Sequence, residues 1–253
     1  MSESQFLDGF RALQEGRFAD AVAAFEEILK QQPDFAEAHY NLGNACVGLK
    51  DYGGAVKAYE EAIRLKPGFA EAHTNLGFAY ARLGQHDRAL AAYGEALRAR
   101  PDFTEAYFQV GMLYLEHGRF EDAIEPLQQA IHCDHACGKA YTALGHAYLR
   151  LGAHGEAIEV LKDALRVVPE DAEAHFHLGM ALHQTENYVA ACNVFRCFVQ
   201  LDPQNPNGHF NLALAYLALG NVKDAAAQHK VLLALDASLA DELKREIERS
   251  RQA

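Results

Sequence analysis

The sequence has no tryptophan, three methionines and seven prolines in 253 residues. So few prolines leave room for long helices, because a proline inside a helix removes a hydrogen bond and clashes with the preceding turn. Positive charge is also scarce: 23 Lys and Arg stand against 35 Asp and Glu, a formal charge of −12. That excludes a nucleic-acid backbone as partner, since holding one requires clustered cations. No apolar run approaches the length of a membrane span, so no membrane insertion is expected. The opening MSESQFLDGF lacks the basic segment and apolar stretch of a signal peptide. Five cysteines, an odd number at irregular spacing, give no disulfide framework. Together these absences lead us to expect a reducing, cytoplasmic setting. What is plentiful is Ala and Leu, both strong helix formers, in a chain that is 50% hydrophobic.

The prolines are regularly placed. Pro33, Pro67 and Pro101 lie 34 residues apart, as do Pro169 and Pro203, and the missing member between them is His135. Laid out on this period, the chain gives seven lines: 2–35, 36–69, 70–103, 104–137, 138–171, 172–205 and 206–239, with 240–253 left over. The eighth place of each line is Gly9, Gly43, Gly77, Gly111, Gly145, Gly179 or Ala213, a small residue that lets a neighbouring helix approach. The twentieth is Ala in all seven lines, from Ala21 to Ala225. The fifteenth is Gly16, Gly84, Gly118, Gly152 and Gly220 in five of them, where a left-handed residue would end a helix. Between these breaks apolar residues recur at helical spacing. Each line therefore reads as helix, tight turn, helix.

A line such as AEAHYNLGNACVGLKDYGGAVKAYEEAIRLKPGF resembles the tetratricopeptide repeat, and the resemblance covers nearly the whole chain. It implies an all-α, right-handed superhelical solenoid of seven helix-turn-helix units. The remaining 240–253 would form a C-terminal capping helix and tail, shielding the open end with Leu239, Leu243 and Ile247. Ser238 with Asp241 fits a capping box at its start. The chain departs from the family at the fourth place, which holds His39, His73, Tyr107, Tyr141, His175 and His209 where Trp is frequent. Line six departs further, with Glu186 for the turn glycine and Phe198 where most lines have Ala.

The resemblance also implies a concave groove lined by the first helices, to which the fifth, sixth and ninth places contribute. Here these give Tyr40, Thr74, Phe108, Phe176 and Phe210; Asn41, Asn75, Gln109, His177 and Asn211; and Asn44, Phe78, Met112, His146 and Met180. The sixth-place row is similar to the asparagine ladder in the tetratricopeptide arm of O-linked N-acetylglucosamine transferase, an arm that here is not followed by the catalytic domain. Side-chain amides can pair with an extended peptide backbone without reading its sequence. They can equally bond neighbouring helices. The carboxylate clamp of chaperone-binding relatives is matched only at Asn44 and Asn75, while Tyr40, Glu105 and Gln109 stand where it needs cations. Glu recurs at the second place, in Glu37, Glu71, Glu105 and Glu173, and makes the groove rim acidic. The expected partner is thus a protein or peptide, basic or amphipathic rather than acidic. His146 and His177 occupy the ninth and sixth places of successive lines, and clamp-type relatives bring these places together.

One segment suggests different chemistry. IHCDHAC places His132, Cys133, His135 and Cys137 in six residues, a soft-ligand set for a metal ion. On the 34-residue period it is also the plain joint between the fourth and fifth lines. With no converging acid, base and nucleophile, the sequence points to a non-enzymatic scaffold without cofactor that binds a protein segment. A metal-handling protein using 132–137 is the alternative, and a scaffold that self-assembles into homo-oligomers through its groove or end is a third.

Overall fold

The structure of the chain, a computed structural model, describes residues 3–251. It contains fifteen α-helices among those residues and no strand. They pair as α1 Glu3–Gln14 with α2 Phe18–Gln31, α3 Ala36–Gly48 with α4 Tyr52–Leu65, and α5 Ala70–Arg82 with α6 His86–Ala99. Then follow α7 Thr104–Glu116, α8 Phe120–Cys133, α9 Gly138–Arg150 with α10 His154–Val167, and α11 Ala172–Gln184 with α12 Tyr188–Leu201. α13 Pro206–Ala218, α14 Val222–Leu235 and α15 Ala237–Ser250 complete the chain. The first fourteen fall two to each stretch of 34 residues.

The turn column behaves as its glycines require. Gly16, Gly84, Gly118, Gly152 and Gly220 all have φ between 68° and 74°. The two lines without glycine keep the conformation, with Lys50 at φ 61° and Glu186 at φ 60°. A side chain in this left-handed region is strained by about 1 kcal/mol or more. The twentieth-place alanines are all fully buried, from Ala21 through Ala225. At the eighth place, a Cβ on Gly77 would lie 2.5 Å from the Tyr93 ring, and one on Gly179 would lie 2.6 Å from Phe195. The glycine is there because the large residue of the next helix needs its space.

The helices fall into two compact units, Met1–His117 and Gly118–Ala253. The division lies in the turn of the fourth repeat, so 104–137 is shared between them. In the first unit Phe25, Tyr59 and Tyr93 are the large buried side chains; in the second they are Leu127, Leu161, Phe195, Leu232 and Leu243. Within each unit a consistent asymmetry appears. First helices of neighbouring repeats touch one another: α1 with α3, α3 with α5, α5 with α7, then α9 with α11 and α11 with α13. Within each unit, among the described residues, second helices touch first helices or the terminal α15 and not one another. First helices therefore lie on the inside of each unit's curve, which makes their exposed side the concave one.

The terminal helix starts at Ala237, three residues ahead of the expected 240. Its cap is Asp236, whose carboxylate accepts from the amides of Ser238 and Leu239; the Ser238–Asp241 capping box is not the device used. Ala240, Leu243 and Ile247 bury against Ala213, Ala225 and Leu232. Residues 2, 252 and 253 of the expected boundaries lie outside the described residues.

Candidate functional site on the first-helix face

In Met1–His117 the face closes on itself. The Tyr59 hydroxyl donates to Oδ1 of Asn44 at 2.7 Å, and Nδ2 of Asn75 donates to the same oxygen at 2.9 Å and to the Tyr40 hydroxyl at 3.2 Å. Burial pushes the Tyr59 and Tyr40 hydroxyls above their ordinary pKa, so both remain neutral. Asn44 is the hub because a ninth place and the next sixth place face each other. Asn41 is 8% exposed and donates to the Glu37 carbonyl of its own helix. Gln109 donates to Glu105. Thr74 is 2% exposed and donates to the Ala70 carbonyl. The expectation that Thr74 and Asn41 line a groove is corrected: both point into helix contacts. Tyr40, Asn44, Asn75, Phe78, Phe108, Gln109 and Met112 are half-buried.

In Gly118–Ala253 the equivalent places carry different chemistry. His146 on α9 and His177 on α11 stack with ring centroids 4.7 Å apart and planes 2° apart. The parallel planes leave no ring N–H aimed at the other ring. Nε2 of His177 approaches Glu173 at 3.4 Å, and Nε2 makes no hydrogen bond. Contact with His177 holds the Glu173 carboxyl below its ordinary value, against burial. Burial lowers the His146 pKa, and the neighbouring His177 and Arg150 lower it further, while Glu173 opposes them. Burial also lowers that of His183. Phe120 packs edge-on to His146 at 6.2 Å and under the Arg150 guanidinium at 4.4 Å. Phe176, Met180, Phe210 and Asn211 are half-buried, and the Asn211 amide donates to the Asn207 carbonyl.

All four amides of the sixth place thus donate within the chain, so they are not an unengaged ladder. The fourth-place histidines are more specific than flat filler. Nε2 of His39, His73 and His209 bonds the carbonyl of the proline six residues earlier, Pro33, Pro67 and Pro203, at 2.7–3.0 Å. Each fastens the start of one repeat to the end of the one before. His175 instead bonds the Asp171 carbonyl.

At the joint 132–137, Asp134 Oδ1 accepts from the Ala136 amide, an ordinary turn contact. His132 and His135 stand edge-to-face at 6.4 Å. Among the described residues, no group of three His, Cys, Asp or Glu side chains is placed to hold a metal ion. The metal-handling alternative finds no support: a helix end and a turn hold these side chains along the chain instead of converging them. Cys192 is buried and Cys197 exposed, on different faces of α12.

The sequence reading missed two features. His86 and His117, 31 residues apart, bring their Nε2 atoms to 2.9 Å. Nδ1 of His117 must donate to the Leu113 carbonyl, which makes the His117 Nε2 the acceptor and His86 Nε2 the donor. The second feature is Asp202, which lines a cleft with Glu173, Phe176 and Phe198.

Residues 3–196 match the family profile of the cilia and flagella-associated protein 70 C-terminal domain, and residues 193–240 match a tetratricopeptide repeat profile. No curated protein sequence matches the chain. Among solved structures, a chain of the APC/C hetero-tetramer Cut9–Hcn1 superposes with a TM-score of 0.70 at 20% identity, covering 99% of this chain and 49% of that one. This chain thus spans about half the length of that relative. YrrB, described as a tetratricopeptide protein with an unusual peptide-binding site, gives 0.66 at 23% identity, covering 76% of this chain and 100% of that one. MamA gives 0.58 at 26% identity, covering 65% and 96%. No helix among the described residues is long and apolar enough to cross a membrane. The chain belongs to the tetratricopeptide repeat family represented by the C-terminal domain of cilia and flagella-associated protein 70.

Proposed function

We propose that the chain is a non-catalytic adaptor that binds a protein or peptide segment across the first-helix face of Gly118–Ala253. The observation that carries this reading is the state of that face. Phe176, Met180 and Phe210 are only half-buried, and beside them His146 stacks on His177, whose Nε2 makes no hydrogen bond. The corresponding face of Met1–His117 also has half-buried apolar side chains, Phe78, Phe108 and Met112, but its polar groups Tyr40, Asn44, Tyr59 and Asn75 bond one another. Met and aromatic side chains adapt to apolar partner groups, and Glu173 at the rim of this face favours a basic or amphipathic segment. YrrB, a protein of the same fold, is described as having a peptide-binding site.

The test is capture of partners from the native organism, comparing wild type with Met180→Glu/Phe210→Glu. Circular dichroism should show unchanged helicity and capture should be lost. Equal capture by both proteins would sink the reading. Protonating His146, which burial resists, would place a positive charge at the centre of the face. Affinity for the captured partner should therefore fall as pH drops from about 7.5 to 5.5. In His146→Gln/His177→Gln that dependence should flatten, and an unchanged dependence would remove the pair from the mechanism.

A further inference from the structure

The repeats themselves provide a template for a site. In the second repeat, Nζ of Lys66 lies 4.5 Å over the Phe69 ring and 3.3 Å from the Glu37 carboxylate. In the third, the Arg100 guanidinium lies 4.5 Å over Phe103 and 2.5 Å from Glu71. Both use the same geometry: a second-place Glu, a cation at the thirty-first place of the same repeat, and an aromatic ring beneath it. The chain supplies its own cation to each acidic rim.

In the sixth repeat the second place is still Glu, Glu173, but the thirty-first is Asp202. A carboxylate has replaced the cation. Between the two acids lies a cleft floored by aromatic rings, with Phe176 and Phe198 at 5.1 Å between centroids. Asn205 donates to the Asp202 carboxylate at 3.0 Å and so orients it. Glu173 remains largely exposed, with 70% of its side chain open to solvent, and stays ionised beside His177. An isolated pair of acids would be only a charged rim. The ring under Lys66 and Arg100 is the thirty-fourth place, which here is Asn205; the aromatic floor comes instead from Phe176 and Phe198, which line the cleft with both acids.

We infer that this cleft binds a lysine or arginine side chain of a basic partner segment, which stands in for the cation that the sixth repeat lacks. The cation would lie over the Phe176 ring and between the Glu173 and Asp202 carboxylates. Its aliphatic stem would cover the aromatic floor. This deepens the adaptor reading and rests on it for the nature of the partner.

The probe is acetylated and amidated Ala-Arg-Ala, titrated into isotope-labelled full chain and followed by NMR at the Phe176 and Phe198 rings. The control peptide carries citrulline, a neutral isostere of arginine. The arginine peptide should shift both rings and bind at least about fivefold more tightly than the citrulline peptide, as expected for an ion pair combined with a cation–π contact. Asp202→Lys gives the sixth repeat its own cation and should abolish binding. Glu173→Gln, at an exposed position, should weaken it and serves if Asp202→Lys does not fold. Equal binding of arginine and citrulline, or unaltered binding in both variants, would overturn the inference. The adaptor reading is judged separately. If Asp202→Lys captures native partners like wild type while Met180→Glu/Phe210→Glu does not, the cation site falls and the adaptor reading stands. If arginine binding behaves as expected but neither variant changes capture, the adaptor reading falls.

Discussion

Asn44 with Asn75 and His146 with His177 are the same two places of successive repeats, one pair in each unit. The amides exchange a hydrogen bond at 2.9 Å and recruit Tyr40 and Tyr59. The imidazoles stack, and His177 Nε2 makes no hydrogen bond. The same two places thus hold a hydrogen-bonded pair in Met1–His117 and a stacked pair in Gly118–Ala253. Repeat geometry fixes which side chains meet, and residue identity decides whether the meeting is complete.

What both units share should be the most sensitive. Ala89→Leu and Ala157→Leu add methylenes at helix contacts with 0% exposure. Each should lower stability by about 1–3 kcal/mol or more, read by thermal or chemical unfolding. If either variant is as stable as wild type, the shared frame is wrong. Next comes the cohesive pair. Asn44→Ala leaves the buried Tyr59 hydroxyl without its acceptor and should lower stability by about 1–3 kcal/mol. His146→Gln should cost distinctly less, and equal losses would erase the contrast between the units. A smaller effect, of opposite sign, is expected at the turns. Glu186→Gly and Lys50→Gly relieve left-handed strain and should raise stability by roughly 0.5–1 kcal/mol.

The smallest effect is acid sensitivity. His146 and His183 resist protonation in the folded chain, mainly through burial. The unfolded chain takes up protons first, so their contribution is complete above the ordinary imidazole range and declines as pH falls through it. His146→Gln/His183→Gln should lose less melting temperature than wild type on acidification across that range. An identical loss would assign the sensitivity to other groups.

The frame was legible in the sequence because small residues at fixed places have one physical meaning. Ala89 and Gly77 declare a close approach, and Gly84 a left-handed turn. The approach of His146 to His177 could be expected for the same reason. Side-chain engagement was not legible. Thr74 and Asn41 stand at groove places, yet bond carbonyls one turn back, a choice set by rotamer and local packing. Asp236 and Ser238 are both capable caps, and only the path of the chain after α14 selects Asp236. Asp202 carried a signal that a column reading reveals: the thirty-first place runs Gln32, Lys66, Arg100, Asp134, Val168, Asp202, Asp236 and changes sign. His86 with His117 carried none, since a pair 31 residues apart follows no column.

Phe198 has a consequence for how this chain could change by recombination. Its ring occupies the space where a Cβ on Gly208 would stand, so a large residue of the sixth repeat is matched by the absence of one in the seventh. In the second and third repeats the corresponding partners are small on both sides, Ala62 against Ala72 and Ala96 against Ala106. In-frame duplication or exchange of those repeats brings like surfaces together. Copying the sixth repeat alone would set Phe198 against the alanine at Ala174. At this contact, duplicating or exchanging the sixth and seventh repeats therefore keeps the fit only when both move as one block, while the second and third can be copied singly.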